Sequence, residues 1–349
     1  MFERYAPQEV YDGAMRMTDT IRETCKWHGF DPDRITDAVI AGSGLGKFPT
    51  TYMNRENAGE PSGPLRFSFS GLLRLTSLVP SEGHVPGHAR ELIIGPIDGG
   101  DSNDLVIAQS GREHPYEGVD EKQSTIWERV MQALKVDRLI GSNAAGIVTP
   151  RTLTPPGLML VMGDVDLDPH SVLCGPNIDK LGPRFPNNGD RYSEGLRTIF
   201  KEVAERLGIV LPEGIFFRVS GPFYESREMV YRMRAMLDGM WLEGRSQRGE
   251  RRYNGKPRAV AGMSSTFEVD VARHGSQVEL ATPGETRAFG GGVAYVSAMT
   301  NYAAGLGPNG PVGNPDHDDV KKAAEIVENY FGRLVVAVIL EARRRALTI

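Results

Sequence analysis

Short apolar runs punctuate the chain, and most of them end in glycine, serine or aspartate. The run at 38–41 leads into Gly42-Ser-Gly-Leu-Gly46, the one at 91–94 ends at Gly95, and the one at 105–108 runs on to Gly111. Leu139-Ile140 enters Gly141-Ser-Asn-Ala-Ala-Gly146, the run at 158–162 meets Gly163-Asp164, and the one at 215–219 leads into Ser220-Gly221-Pro222. Runs this short, closed by turn residues, predict buried strands. Between them, apolar residues recur at helical spacing over 7–27 (Val10, Met15, Met17, Ile21), 124–134, 194–207 and 228–237. A last helix is predicted after Pro315-Asp-His-Asp-Asp319, whose acids suit the positive end of a helix dipole; it carries Val320, Ala324, Val327, Tyr330 and Phe331. Strands and helices are mixed over the full length, with no long linker, repeat or low-complexity segment. An α/β fold in a single domain, residues 1–349, is therefore expected. The polar stretch 244–256, GRSQRGERRYNGK, reads as an exposed loop.

Composition narrows the class. Lys+Arg number 40 and Asp+Glu 45, a net charge of −5, and no basic tract makes an electrostatic case for nucleic acid. At 40% hydrophobic and 24% charged residues the chain has the balance of a folded protein. The apolar run at 334–340 is far short of the ~20 residues that span a bilayer, so no membrane partner is expected. The start, MFERYAPQEV, lacks a basic then apolar leader. Cys25 and Cys174 are too few for a disulfide framework or a four-ligand zinc site, and a cytoplasmic setting is expected. Glycine is the outlier, at 41 residues. That many suits tight turns or backbone-lined pockets.

The candidate chemistry lies where those glycines cluster. Gly42-Ser-Gly-Leu-Gly46-Lys47 after a strand can make an anion nest from its N–H groups, or be a structural turn. It is not a dinucleotide fingerprint, because its third glycine comes one residue early, nor a P-loop, because Phe48 stands where Ser or Thr must be. His84 and His88 have metal-like spacing, but Pro86-Gly87 between them disfavours a helix, and no metal is expected. In Gly111-Arg-Glu-His-Pro-Tyr-Glu-Gly118, Arg112 offers a fork of donors to an oxyanion, though the segment reads equally as a charged turn. The run at 164–168 lacks the glycine and glutamate of a calcium loop. Gly221-Pro-Phe-Tyr-Glu-Ser226 sets an aromatic beside a carboxylate, which suits a planar heterocycle with N–H donors or a plain helix cap. Residues 262–274 place a small-residue turn at a helix start. No G-x-S-x-G elbow or activated cysteine supports covalent acyl chemistry.

Taken in order, these motifs resemble the trimeric purine nucleoside phosphorylase family, which includes the methylthioadenosine phosphorylases. The carriers are the Gly42 turn, Val85-Pro-Gly-His88, the Arg112 segment, Asn143-Ala-Ala-Gly146, Gly175-Pro-Asn177, Arg184-Phe-Pro186, Gly221-Pro-x-Tyr-Glu225, Gly262-Met-Ser264 with Glu268 and Val271-Ala-Arg-His274, Thr300-Asn301 and His317. The resemblance runs from about residue 10 to the C-terminal helix. It implies phosphorolysis of purine nucleosides to free base and pentose 1-phosphate, with phosphate as co-substrate and no cofactor. It also implies a homotrimer and a central mixed, partly barrel-like sheet flanked by helices.

Motif by motif, the resemblance implies phosphate on Ser43, His88, Arg112, His114, the Ala144 N–H and Ser264. Tyr116 and Met263 would hold the sugar, His317 its 5′-hydroxyl, and Tyr224 would stack beside the base. Phe185 resembles the aromatic lent to the neighbouring subunit. Glu225 and Asn301, with His114, are the expected catalytic set. Glu225 and Asn301 resemble the base-binding pair of the family's 6-oxopurine branch, which implies inosine and guanosine as substrates; a carboxylate also suits the N1–H of a 6-oxopurine and not the bare N1 of adenine. The alternatives are a methylthio-nucleoside or modified-purine phosphorylase, or a nucleoside-binding relative without catalysis. Departures are Phe267 where proline is usual, Tyr224 for phenylalanine and Ser226 for threonine, with apparent insertions near 240–257 and 275–290.

Overall fold

The six apolar runs become β1 (Ile35–Ala41), β3 (Glu91–Pro96), β4 (Leu105–Ser110), β5 (Arg138–Ile147), β6 (Gly157–Asp166) and β7 (Glu213–Arg218), and three strands that no such run marked, β2 (Leu65–Ser68), β8 (Ala259–Gly262) and β9 (Gly292–Tyr302), complete the sheet. The helices are α1 (Pro7–Trp27), α2 (Phe48–Tyr52), α3 (Phe69–Leu73), α4 (Glu121–Ser124), α5 (Ile126–Ala133), α6 (Glu194–Leu207), α7 (Arg227–Ser246), α8 (Thr266–Gly275) and α9 (His317–Ala346). This computed structural model describes residues 5–42, 45–53, 63–79, 89–101, 104–168, 170–246, 257–279, 287–307 and 317–346, without the side chains of 242–246, 317–319 and 321. Among the described residues no helix is long and apolar enough to cross a membrane.

The strand order is β2-β3-β4-β1-β5-β8-β7-β6-β9, and β9 also pairs with β5. That extra pairing closes β5, β8, β7, β6 and β9 into a five-stranded barrel, from which β1, β4, β3 and β2 extend as an open arm. β1 runs parallel to both β4 and β5, β9 is parallel to β5, and β6 and β8 meet β9 and β5 antiparallel. The expected α/β domain with a mixed, partly barrel-like sheet is the observed one.

Helices cover both faces. On one, Met17 and Ile21 of α1 and Trp127 and Val130 of α5 pack against Ile40, Leu139 and Tyr295. On the other, Phe200 of α6 and Phe331 and Leu334 of α9 pack against Ile140 and Val296. Phe217 of β7 packs with Val230, Met233 and Leu237 of α7. Each such fully buried side chain contributes about 1.5–3 kcal/mol by leaving water.

Three expectations change in detail. The helix predicted over 124–134 is broken at Thr125, whose hydroxyl donates to the carbonyl of Glu121 (3.1 Å) and competes with the helical backbone. α7 continues to Ser246, so the start of the stretch read as a loop is helical, and 247–256 lies outside the described residues. In the apparent insertion near 275–290, Ala288 and Phe289 are buried in the core, and the Phe289 N–H donates to Val136 O (2.7 Å).

Candidate active site

A cleft of about 350 Å³ opens where the ends of the barrel strands converge. Ala144, Ala145 and Gly146 reach it from β5, Ala261 and Gly262 from β8, and Thr300 and Asn301 from β9. Pro222, Tyr224 and Glu225 come from the turn after β7, Met263 and Ser264 from the turn before α8, Tyr116 from the 3₁₀ turn after β4, and Val320 from α9. Seven of the sequence-predicted residues, Tyr116, Ala144, Tyr224, Glu225, Met263, Ser264 and Asn301, are thus brought together.

Asn301 enters the cleft because β9 is bulged. Ala145 faces Met299 and Gly146 faces Asn301, so Thr300 has no partner in the β5 register. In a regular strand neighbouring side chains point to opposite faces, and the bulge lets Thr300 and Asn301 both line the cleft. Thr300 Oγ1 donates to Asn301 Oδ1 (2.7 Å) and Asn301 Nδ2 donates to Tyr302 O (2.9 Å), which fixes the amide. Glu225 is 5% exposed, and its Oε1 accepts the Ala304 N–H (3.0 Å). Burial pushes its pKa above the ordinary carboxylate value, partly offset by backbone N–H groups. A carboxylate and an amide facing one cavity suit a heterocycle with a donor edge and an acceptor edge.

Close approaches require glycine at two places. Gly221 has φ +71°, and a Cβ there would sit 2.8 Å from Met263 Sδ and 2.9 Å from the Tyr116 ring, so the turn passes directly over these two lining side chains. At Gly42 a Cβ would lie 2.4 Å from Arg112 Nη1 and 2.6 Å from Ser142 O.

Arg112 is nearly fully buried behind this turn. Its Nε donates to Glu268 Oε1 (2.5 Å), and Nη2 donates to Ser142 O (2.5 Å) and Glu268 Oε2 (3.2 Å). Burial alone would lower its pKa, but the Glu268 charge and hydrogen bonds outweigh that and raise it, so the guanidinium stays charged. Tyr295 Oη also donates to Glu268 Oε2 (2.5 Å). Glu268, one of the residues that carry the family resemblance but had no role assigned from sequence, is thus the counter-charge of Arg112. The remaining nitrogen, Nη1, lies against Gly42.

His114 is held by Glu117, which accepts from its backbone N–H and meets ring Nδ1, each at 2.9 Å. Burial raises the Glu117 pKa, but those bonds and the Arg90 charge bring it below the ordinary value. The His114 ring stacks on Tyr116 with centroids 4.7 Å apart. Phe185 lies outside this cleft and is 87% exposed. Ser43 and His88 lie outside the described residues. So does the side chain of His317, though its residue opens α9, the helix that brings Val320 to the cleft. Among the described residues no group of His, Cys, Asp and Glu is arranged to hold a metal ion.

The fold has counterparts in known proteins. Residues 70–340 match the model of the phosphorylase superfamily, and the chain belongs to that superfamily. Purine nucleoside phosphorylase 1 of Geobacillus stearothermophilus is 32% identical over 256 residues, 73% of this chain and 77% of the relative. Purine nucleoside phosphorylase 1 of Bacillus subtilis is 29% identical over 89% of this chain and 93% of the relative. The crystal structure of Schistosoma mansoni purine nucleoside phosphorylase in complex with inosine superposes with a TM-score of 0.68 at 23% identity, covering 94% of this chain and 95% of that one. Within the superfamily the chain belongs with the purine nucleoside phosphorylases, pentosyl-transferring enzymes with phosphate as co-substrate and no cofactor.

Proposed function

We propose that this chain catalyses reversible phosphorolysis of 6-oxopurine nucleosides, inosine and guanosine and their deoxy forms, to free base and pentose 1-phosphate. The observation that carries the reading is the convergence of Glu225 and Asn301 on the cleft that also holds Ala144 and Ser264. Glu225 accepts N1–H of the base, and Asn301 meets the O6/N7 edge. Tyr224 covers the base, and Tyr116 and Met263 flank the sugar, with His317 toward its 5′ end. Phosphate sits near the Ala144 N–H, Ser264, His114 and the Gly42 turn with Ser43, with the Arg112 charge behind it and His88 nearby.

The glycosidic bond breaks toward an oxocarbenium ion, and its electron pair goes to the purine. Asn301 stabilises the leaving purine as N7 takes a proton, and phosphate stabilises the cation electrostatically before bonding to C1′. No covalent enzyme intermediate is needed. Phe185, exposed on its own subunit, supports a homotrimer in which it completes the neighbour's cleft. The two unpaired cysteines, Cys25 and Cys174, suit a reducing cytoplasm. Assaying inosine, guanosine, adenosine and methylthioadenosine with phosphate tests the reading. Inosine and guanosine should dominate; preference for methylthioadenosine would overturn the base assignment, and binding of inosine without turnover would make the protein a nucleoside binder.

A further inference from the structure

The turn before α8 is strained. Ser265 has φ 85° and ψ −38°, in the left-handed region that disfavours any residue with a Cβ. Glycine would adopt this backbone freely, so what serine adds is its hydroxyl. That hydroxyl accepts from Asn143 Nδ2 at 2.7 Å, and both residues are buried, at 4% and 1% exposure. Asn143 keeps this bond although its Oδ1 has no hydrogen-bond partner among the described residues, a cost that a purely packed core would avoid.

The bond has a particular address. Asn143 immediately precedes Ala144, and Ser265 immediately follows Ser264, and Ala144 and Ser264 line the same cleft. The two segments are already close: a Cβ on Gly262 would lie 2.9 Å from Ala144 O. Beyond the strained residue the chain turns into α8, where the Ser265 carbonyl accepts the Val269 N–H (3.1 Å) and Glu268 reaches Arg112. The left-handed step therefore lets one short segment present Ser264 to the cleft and still return Glu268 to the buried guanidinium.

We infer that Asn143 and Ser265 form a positioning clamp that sets the spacing of the Ala144 N–H and the Ser264 hydroxyl, and so tunes the site for inorganic phosphate. The clamp rests on the proposed placement of phosphate at those two groups. Neither residue touches the substrate; each acts through its neighbour. Displacing either of these anion donors by a fraction of an ångström weakens phosphate capture and leaves the base contacts at Glu225 and Asn301 in place.

Steady-state kinetics with inosine and inorganic phosphate, paired with thermal melting without phosphate, tests this on wild type, Asn143→Ala, Ser265→Gly and the double variant. The phosphate KM should rise about tenfold or more in each single variant, while the inosine KM moves by less than about threefold. Ser265→Gly relieves the strain, so it should melt no lower than wild type and still lose phosphate affinity. The double variant should be no worse than the poorer single one, because both remove the same bond. A phosphate KM within about twofold of wild type in Ser265→Gly overturns the clamp, as does a rise of both KM values in step with a lowered melting temperature. Should Asn143→Ala fail to fold, Ser265→Gly still decides. A wild type that releases base without phosphate overturns the proposed function together with the clamp; a phosphate-dependent wild type with unchanged variants overturns the clamp alone.

Discussion

In the proposed mechanism Asn301 and Glu225 carry the chemistry, and each makes a prediction that can fail. Asn301 acts on charge that develops only as the purine leaves, so Asn301→Ala should lower kcat on inosine about 100-fold or more with a smaller change in KM. A kcat unchanged from wild type would remove Asn301 from the mechanism. Glu225 must be ionised to accept N1–H. Its pKa is raised by burial, so the KM for inosine should climb as pH falls through that raised value, above the ~4.3 of a free glutamate. Glu225→Gln should remove this acid limb and lower kcat/KM by about 10–100-fold. Stability runs the other way. A raised carboxylate pKa means the fold favours the protonated form, so its contribution is full below the unfolded pKa and is lost as pH rises through the folded one. At neutral pH Glu225→Gln should therefore melt at or above wild type while being the poorer enzyme, and melting curves across pH check the sign.

Among the elements, the α8 turn and the end of β5 do the positioning. Glu268 of α8 neutralises Arg112 from 156 residues away, with both side chains nearly fully buried. Glu268→Ala leaves that guanidinium buried without its counter-ion and should cost about 3–5 kcal/mol, seen in urea as a lower midpoint at unchanged slope. Pairings of this kind explain what sequence could and could not show. α1 and α6 were legible almost to the residue because their apolar stripes are regular and their ends are marked, α1 by Pro7 and α6 by Gly208. β9 was missed because Ala294, Ser297, Ala298 and Thr300 stand where a pattern search expects valine and isoleucine, and its near-continuous burial leaves no alternation. The order of cleft residues was legible as a set of short motifs. The Glu268 contact, the Asn143–Ser265 bond and the bulge that turns Asn301 were not, because they exist only once distant strands pair.

For the whole molecule, the question is how one chain's cleft is completed. Phe185 exposes 87% of its surface and sits outside its own cleft. In the proposed homotrimer it covers a neighbour's sugar, so sedimentation should give about three times the 38.3 kDa of the chain. Phe185→Ala should raise the KM for inosine about tenfold or more. Trimers mixed from Phe185→Ala and Asn301→Ala subunits should recover activity, because an intact cleft in one subunit then receives an intact Phe185 from the other. No recovery on mixing would place Phe185 outside catalysis.

In the proposed reaction phosphate is the acceptor for the pentosyl group. The most direct test of this follows inosine cleavage by the purified wild type over a phosphate titration and measures hypoxanthine and ribose 1-phosphate together. No hypoxanthine should form without phosphate, release should saturate with it, and each base should be matched by one ribose 1-phosphate. Hypoxanthine released at the same rate without phosphate, with free ribose as the second product, would contradict it.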